Sequence, residues 1–168
     1  MKPDVRRYDD FLEMFRECEC IVVNVCLCFT DRSHDDIRDL YQEIACTLWE
    51  AWPSYRGRSD SVTWATRVAL NVAGQEIRRR KRRPHFVSMD ERVLRRIADE
   101  ASDEHLQRLY SLIDCLGDDD RKLLFLYLDR RPLREIAAIA GIGEDAVKQR
   151  IYRLKQKLNH LNTEKDDE

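Results

Sequence analysis

Residues 132–158, PLREIAAIAGIGEDAVKQRIYRLKQKL, constrain the fold more than any other stretch, because two amphipathic helices meet there at a glycine turn. Leu133, Ile136, Ala137 and Ala140 recur at helical spacing, and Pro132 sits where a first helical turn tolerates a missing N–H. Gly141-Ile142-Gly143 supplies a sharp turn, since glycine takes positive φ without steric cost. The next helix is expected from about Glu144, with Glu144 and Asp145 suiting the positive end of its dipole. At about 100° per residue, Val147, Ile151, Leu154 and Leu158 share one side, and Asp145, Gln149, Tyr152, Arg153 and Gln156 share the other. Lys148 and Lys155 flank one edge; Arg150 and Lys157 flank the opposite one. A helix that buries one stripe and offers Gln, Tyr and Arg on the other has the chemistry to enter a DNA major groove. A solvated amphipathic helix is the plainer alternative.

Charge sharpens that reading. The formal net charge is only −2, but it is segregated. Residues 62–83 carry 7 basic and 1 acidic side chains, and residues 121–158 carry 10 and 4. Between and before them the balance is acidic: 8 basic against 13 acidic over 1–60, and 4 against 10 over 84–120. Two basic islands separated by acid imply two polyanion contacts and a protein partner for the acidic surfaces.

Few glycines (5) and prolines (4), with little strand alternation, predict an all-α chain of two small helical domains. The first, residues 8–83, reads as three or four helices. Phe11, Leu12, Met14 and Phe15 begin an apolar face that runs on through Cys18, Val22, Val25 and Phe29, although the β-branched run at 21–25 locally favours strand. Asp35 or Asp36 is the expected cap of the next helix, whose core face is Ile37, Leu40, Tyr41, Ile44 and Leu48. Pro53 ends it in the turn-rich loop 53–61, and a helix from about Val62 to Arg80 leads into six basic residues, Arg78 to Arg83. Residues 84–104 form a linker, with a further helix conceivable over 91–101. The second domain, residues 105–160, offers Leu106, Leu109, Ile113 and Leu116 as one helix and 123–128 as another, before the helix–turn–helix. The acidic tail 161–168 reads as disordered.

No secretory leader is expected in the charged residues 1–20, and the apolar run Ile21–Phe29 is too short to span a bilayer. A cytoplasmic protein with reduced thiols follows. Cys18, Cys20, Cys26 and Cys28 point in divergent directions on one helix and cannot converge on a metal. Buried free thiols are expected, with Cys46 the candidate for exposure. Trp49, Trp52 and Trp64 are expected in the core before any other role. No Gly-rich phosphate loop and no nucleophile–base pairing is evident, so no cofactor and no enzymatic activity is expected.

Three motifs in order then carry a resemblance. DIRDLYQEI (36–44) is similar to an Asp-Leu-x-Gln-Glu signature, followed by a helix end bearing Trp49. TWATRVALNVAGQEIRRRKRR (63–83) is similar to a Trp-led helix with an internal Asn-x-Ala and a terminal Arg run, and EIAAIAGIGEDAVKQRIYRLKQKL (135–158) to a closing helix–turn–helix. With these, the chain resembles bacterial RNA polymerase sigma factors of the extracytoplasmic-function group of the sigma-70 family.

The resemblance implies a subunit that binds core RNA polymerase and directs promoter-specific initiation. The outer face of the 36–50 helix, with Asp39, Gln42 and Glu43, would dock on the coiled coil of the largest polymerase subunit. The flap of the second-largest subunit and an anti-sigma factor are further partners that it implies. Helix 62–80 and the loop before it would open and read the minus-ten element as single strand, with Tyr55, Arg56, Arg58, Arg67, Asn71, Arg78 and Arg79 supplying stacking and cationic contacts. In the last helix, Gln149 and Arg153 would read bases of the minus-thirty-five element and Lys148 and Arg150 would bind mainly phosphate, beside Tyr152. Leu70 and Gln75 stand where the family more often has charge, and Ala146 where it often has a hydroxyl. An autonomous helix–turn–helix regulator and a sigma-like polymerase-binding adaptor are the alternatives. The first would need neither the Asp-Leu-x-Gln-Glu helix nor a second basic island.

Overall fold

The computed structural model describes residues 5–80 and 103–166, with side chains over 8–76 and 103–161. All regular elements among the described residues are helical, as the composition predicts. They fall into two compact units, divided between Arg96 and Ile97.

Unit 1 packs α1 (Val5–Phe29), α2 (His34–Ala51) and α3 (Ser61–Arg80) pairwise against one another. Near its C-terminus α1 is enclosed almost all round, with Val22, Val23, Val25, Cys26, Leu27, Cys28 and Phe29 each at most 8% exposed. Burial of that run at about 1.5–3 kcal/mol per large side chain outweighs its β-propensity, so it is helix. The helix ends where Thr30 Oγ1 donates to the Cys26 carbonyl and Arg32 takes the left-handed conformation at φ 67°. The cap of α2 is Ser33, rather than Asp35 or Asp36: its Oγ accepts from the Asp36 N–H at 3.2 Å and donates to the Asp36 carboxylate at 2.9 Å. Asp36 is thus the cap's partner, in a reciprocal pairing that satisfies an orphan N–H. The α2 core face is Ile37, Leu40, Ile44 and Leu48, while Tyr41 is half-buried and donates to Glu19 at 3.0 Å.

Trp52–Ser54 form a 3-10 turn after α2, and Asp60 starts α3 by accepting from the Val62 and Thr63 N–H groups. The inner face of α3 is small: Ala65, Thr66, Ala69, Ala73 and Gly74 are buried beside Leu70 and Val72. Small side chains let helices approach closely, which offsets the roughly 1 kcal/mol that a mid-helix glycine costs.

Unit 2 contains α4 (Glu104–Asp114), α5 (Asp118–Leu128), α6 (Leu133–Ala140) and α7 (Glu144–Asp166). Asp103 caps α4, so helix begins one position ahead of the expected boundary at 105. The helix conceived over 91–101 lies outside the described residues. In α4 the buried residues are Tyr110, Leu112 and Ile113, with Leu116 just beyond; Leu106 and Leu109 are only half-buried. Consecutive burial of Leu123, Leu124, Phe125 and Leu126 shows that α5 is packed on more than one side. It contacts both α6 and α7. Helix α7 continues through Asp166, so the tail expected to be disordered over 161–168 is helical as far as that residue.

Candidate nucleic-acid interface

The turn that aims α7 is built by local chemistry. Gly141 ends α6 at φ 69°, ψ 28°, and its N–H and that of Ile142 both reach the Ala137 carbonyl. Gly143 is not in the positive-φ region; its carbonyl accepts from Val147 and opens α7. Only the first glycine of the pair is conformationally required.

Upstream, Arg131 staples the α5–α6 turn through 2.7 Å bonds to both Asp129 and Glu135. Burial disfavours its charge, yet the two carboxylates prevail and hold the guanidinium above its usual value.

Val147, Ile151 and Leu154 are the buried stripe of α7, at 0%, 6% and 3% exposure, and Leu158 is half-buried. On the opposite face Lys148, Gln149, Tyr152 and Arg153 line one shallow concavity, with Tyr152 64% exposed. The structure therefore brings together four of the five residues expected to meet the minus-thirty-five duplex. Arg150 is turned to the flank, half-buried and 3.9 Å from Asp120 of α5, in a cleft it shares with Arg153 and Lys157. On the other edge Lys155 donates to the Tyr127 hydroxyl at 2.6 Å and lies 4.4 Å from that ring's centroid. Neither Asp120 nor Tyr127 was legible as a neighbour of α7, because each contact joins helices distant in sequence.

In unit 1 the loop after α2 is not a free polar connector. Tyr55 stacks on Trp52 at 5.3 Å and 12°, and lies 5.3 Å from Trp64. Trp52 also meets Phe11, which meets Trp49, so the three tryptophans lie half-buried in one aromatic cluster. Arg56 and Arg58 are exposed on either side of Gly57, whose φ of 67° makes the bend between them.

Arg67, Asn71 and Gln75 are exposed at four-residue intervals along α3, a single outward stripe. Leu70, 1% exposed, belongs to the core. Arg78 and Arg79 lie on α3, but their side chains are outside the described residues, as are residues 81–83 altogether. On α2, Asp39 and Gln42 are half-buried and Glu43 is exposed. Glu43 and Thr47 form one wall of an open groove of about 310 Å³ whose other wall includes Asn71, Gln75 and Glu76 of α3.

Among the cysteines, Cys18, Cys26 and Cys28 are buried as expected and Cys46 is exposed; Cys20 is exposed against expectation, and Cys115 is exposed as well. Burial pushes the Cys18 thiol up to about 12.

Comparison with known proteins agrees with this layout. The family model described as Sigma-70 region 2 matches residues 14–83, and that described as Sigma-70, region 4 matches residues 106–158. The ECF RNA polymerase sigma-E factor of Escherichia coli (strain K12) is 29% identical over 139 residues, covering 74% of this chain and 73% of the relative. The protein of the same description from Salmonella typhimurium (strain LT2) is related to the same extent. Among solved structures, the sigma factor RpoE in complex with the anti-sigma factor NepR from Bartonella quintana superposes with a TM-score of 0.70 at 18% identity, over 92% of this chain and 97% of that one. CnrH in complex with the cytosolic domain of CnrY gives 0.66 at 20% identity, over 91% and 87%. At such identities the structural likeness speaks for the fold. With both sigma-70 regions matched in order, one on each helical unit, the chain belongs to the extracytoplasmic-function group of the sigma-70 family and is a sigma factor, which binds core RNA polymerase and promoter DNA and directs transcription initiation.

Proposed function

We propose that the work is divided between the two units. Unit 1 docks through Asp39, Gln42 and Glu43 on the coiled coil of the largest polymerase subunit. It holds the opened minus-ten element against Arg56, Arg58, Arg67, Asn71, Arg78 and Arg79, with Tyr55 shaping the loop. Unit 2 enters the minus-thirty-five major groove with α7, where Gln149 and Arg153 read base edges, Tyr152 packs on them, and Lys148 and Arg150 bind phosphate. It also meets the flap of the second-largest subunit. The observation that carries this reading is the two-sided character of α7: Lys148, Gln149, Tyr152 and Arg153 gather on one outward concavity behind which Val147, Ile151 and Leu154 anchor the helix.

The chain acts in the cytoplasm by binding, without chemistry of its own; no helix among the described residues is long and apolar enough to cross a membrane. Of the solved structures cited above, one holds a sigma factor with an anti-sigma factor, and the other holds CnrH with the cytosolic domain of CnrY. An anti-sigma factor is the proposed regulator here. Transcription from a supercoiled promoter library by core polymerase plus this chain tests the whole reading. Initiation at a discrete set of promoters is expected; polymerase binding without initiation would instead mark an adaptor.

A further inference from the structure

Lys155 is held in place before any DNA arrives. Its ammonium donates to the Tyr127 hydroxyl oxygen at 2.6 Å and lies 4.4 Å from the centroid of the same ring. The partners come from α5 and α7, 28 residues apart in sequence, so the contact is a feature of the tertiary fold. Oxygen and ring together restrict a side chain that otherwise carries large rotamer freedom, and that entropy is then not lost on binding.

The location gives the contact its meaning. Lys155 follows Lys148 by seven residues, which on a helix places the two within about 20° of one edge and roughly 10 Å apart along the axis. Lys148 belongs to the outward concavity of α7, so Lys155 extends the same edge toward the helix C-terminus. A helix lying in a major groove is flanked by the two phosphate backbones, and a cation on its edge faces one of them.

We propose that Lys155 binds a backbone phosphate beside the groove that α7 enters, and that Tyr127 is the positioning residue that presents it. The proposal rests on the reading of α7 as a duplex-DNA interface. A phosphate contact carries no base information, so its signature is electrostatic: it releases counterions and steepens the salt dependence of binding equally on all sequences.

That signature needs no knowledge of the promoter. The full chain is titrated with a short mixed-sequence DNA duplex at several salt concentrations. Lys155→Ala should lower the slope of log affinity against log salt by about 1, and Lys155→Arg should retain it. Tyr127→Phe keeps the ring and loses the oxygen; it should weaken binding about fivefold, the size of one lost hydrogen bond, with the melting temperature unchanged. In the Lys155→Ala background the same change should have no further effect, because Tyr127 acts through the lysine. Wild-type binding with an unchanged slope in Lys155→Ala would overturn this inference alone. So would a Tyr127→Phe loss that persists undiminished without the lysine. Absence of salt-dependent duplex binding by the wild type would overturn the reading of α7 and this inference with it.

Discussion

The Tyr55 hydroxyl donates to the Ser59 carbonyl at 2.6 Å, closing the loop between α2 and α3 on itself. The same ring stacks on Trp52, so Tyr55 spends both its polar and its apolar surface inside the protein. The exposed chemistry of the loop is left to Arg56 and Arg58. Replacing both by alanine should weaken binding of single-stranded minus-ten DNA and slow promoter opening, while melting temperature and polymerase binding stay unchanged. Competition between single-stranded and duplex probes measures the first, and equal competition by wild type and variant would show the loop to be a connector. Tyr55→Phe, which keeps the stack, should cost no more than about 1 kcal/mol.

The two glycines of the α6–α7 turn should behave differently. A Cβ at either position meets nothing within 4 Å, so space does not distinguish them; Gly141 alone of the pair has positive φ. Gly141→Ala should destabilise unit 2 by about 1–2 kcal/mol, and Gly143→Ala should be near neutral. Denaturant melts of the two variants check this, and equal losses would contradict it.

Asp39→Ala combined with Glu43→Ala should weaken binding to core polymerase and leave duplex DNA binding unchanged. Electrostatic complementarity to a basic partner sets encounter rate more than stability, so the loss should be larger at low salt. Normal co-purification with core enzyme would contradict the docking assignment.

Thiol accessibility separates the cysteines into two sets. Cys20, Cys46 and Cys115 should react with a thiol reagent in the native protein, and Cys18, Cys26 and Cys28 only after unfolding. Cys18 also predicts a pH effect. Its thiol titrates near 12 when folded against an ordinary 9.0, so above about pH 9 the unfolded chain ionises it and the folded chain does not. Stability should therefore fall as pH rises past 9, and fall less steeply in Cys18→Ala. Parallel pH profiles for the two proteins would contradict it.

Much of this architecture was legible because it is local. The stripe Val147–Ile151–Leu154, the turn at Gly141 and the outward set on α7 all follow from helical spacing and one φ angle. The same holds for Ile37, Leu40, Ile44 and Leu48 on α2. What stayed hidden was tertiary or reciprocal. The aromatic stack of Tyr55 lies inside a segment whose composition is that of a solvated loop. Helical angle places Arg150 on an edge of α7, but it does not reveal that Asp120 of α5 lies 3.9 Å away on that flank. Ser33 is the cap because α2 begins at His34; Asp35 and Asp36 lie inside the first turn, where Asp36 turns back to the Ser33 hydroxyl. Leu70 stands where resemblance suggests charge, but the small face of α3 draws it into the core.

Base reading by α7 is the central claim, and holoenzyme carrying Arg153→Ala measures it most directly. Promoters selected from a library by the wild-type holoenzyme are varied one base pair at a time across the minus-thirty-five element, and initiation is compared for both proteins. Loss of a base contact should remove about 1–3 kcal/mol of discrimination at one position and leave the other positions as selective as before. A uniform drop on every sequence, with no position relaxed, would show that Arg153 binds only phosphate and would contradict the account.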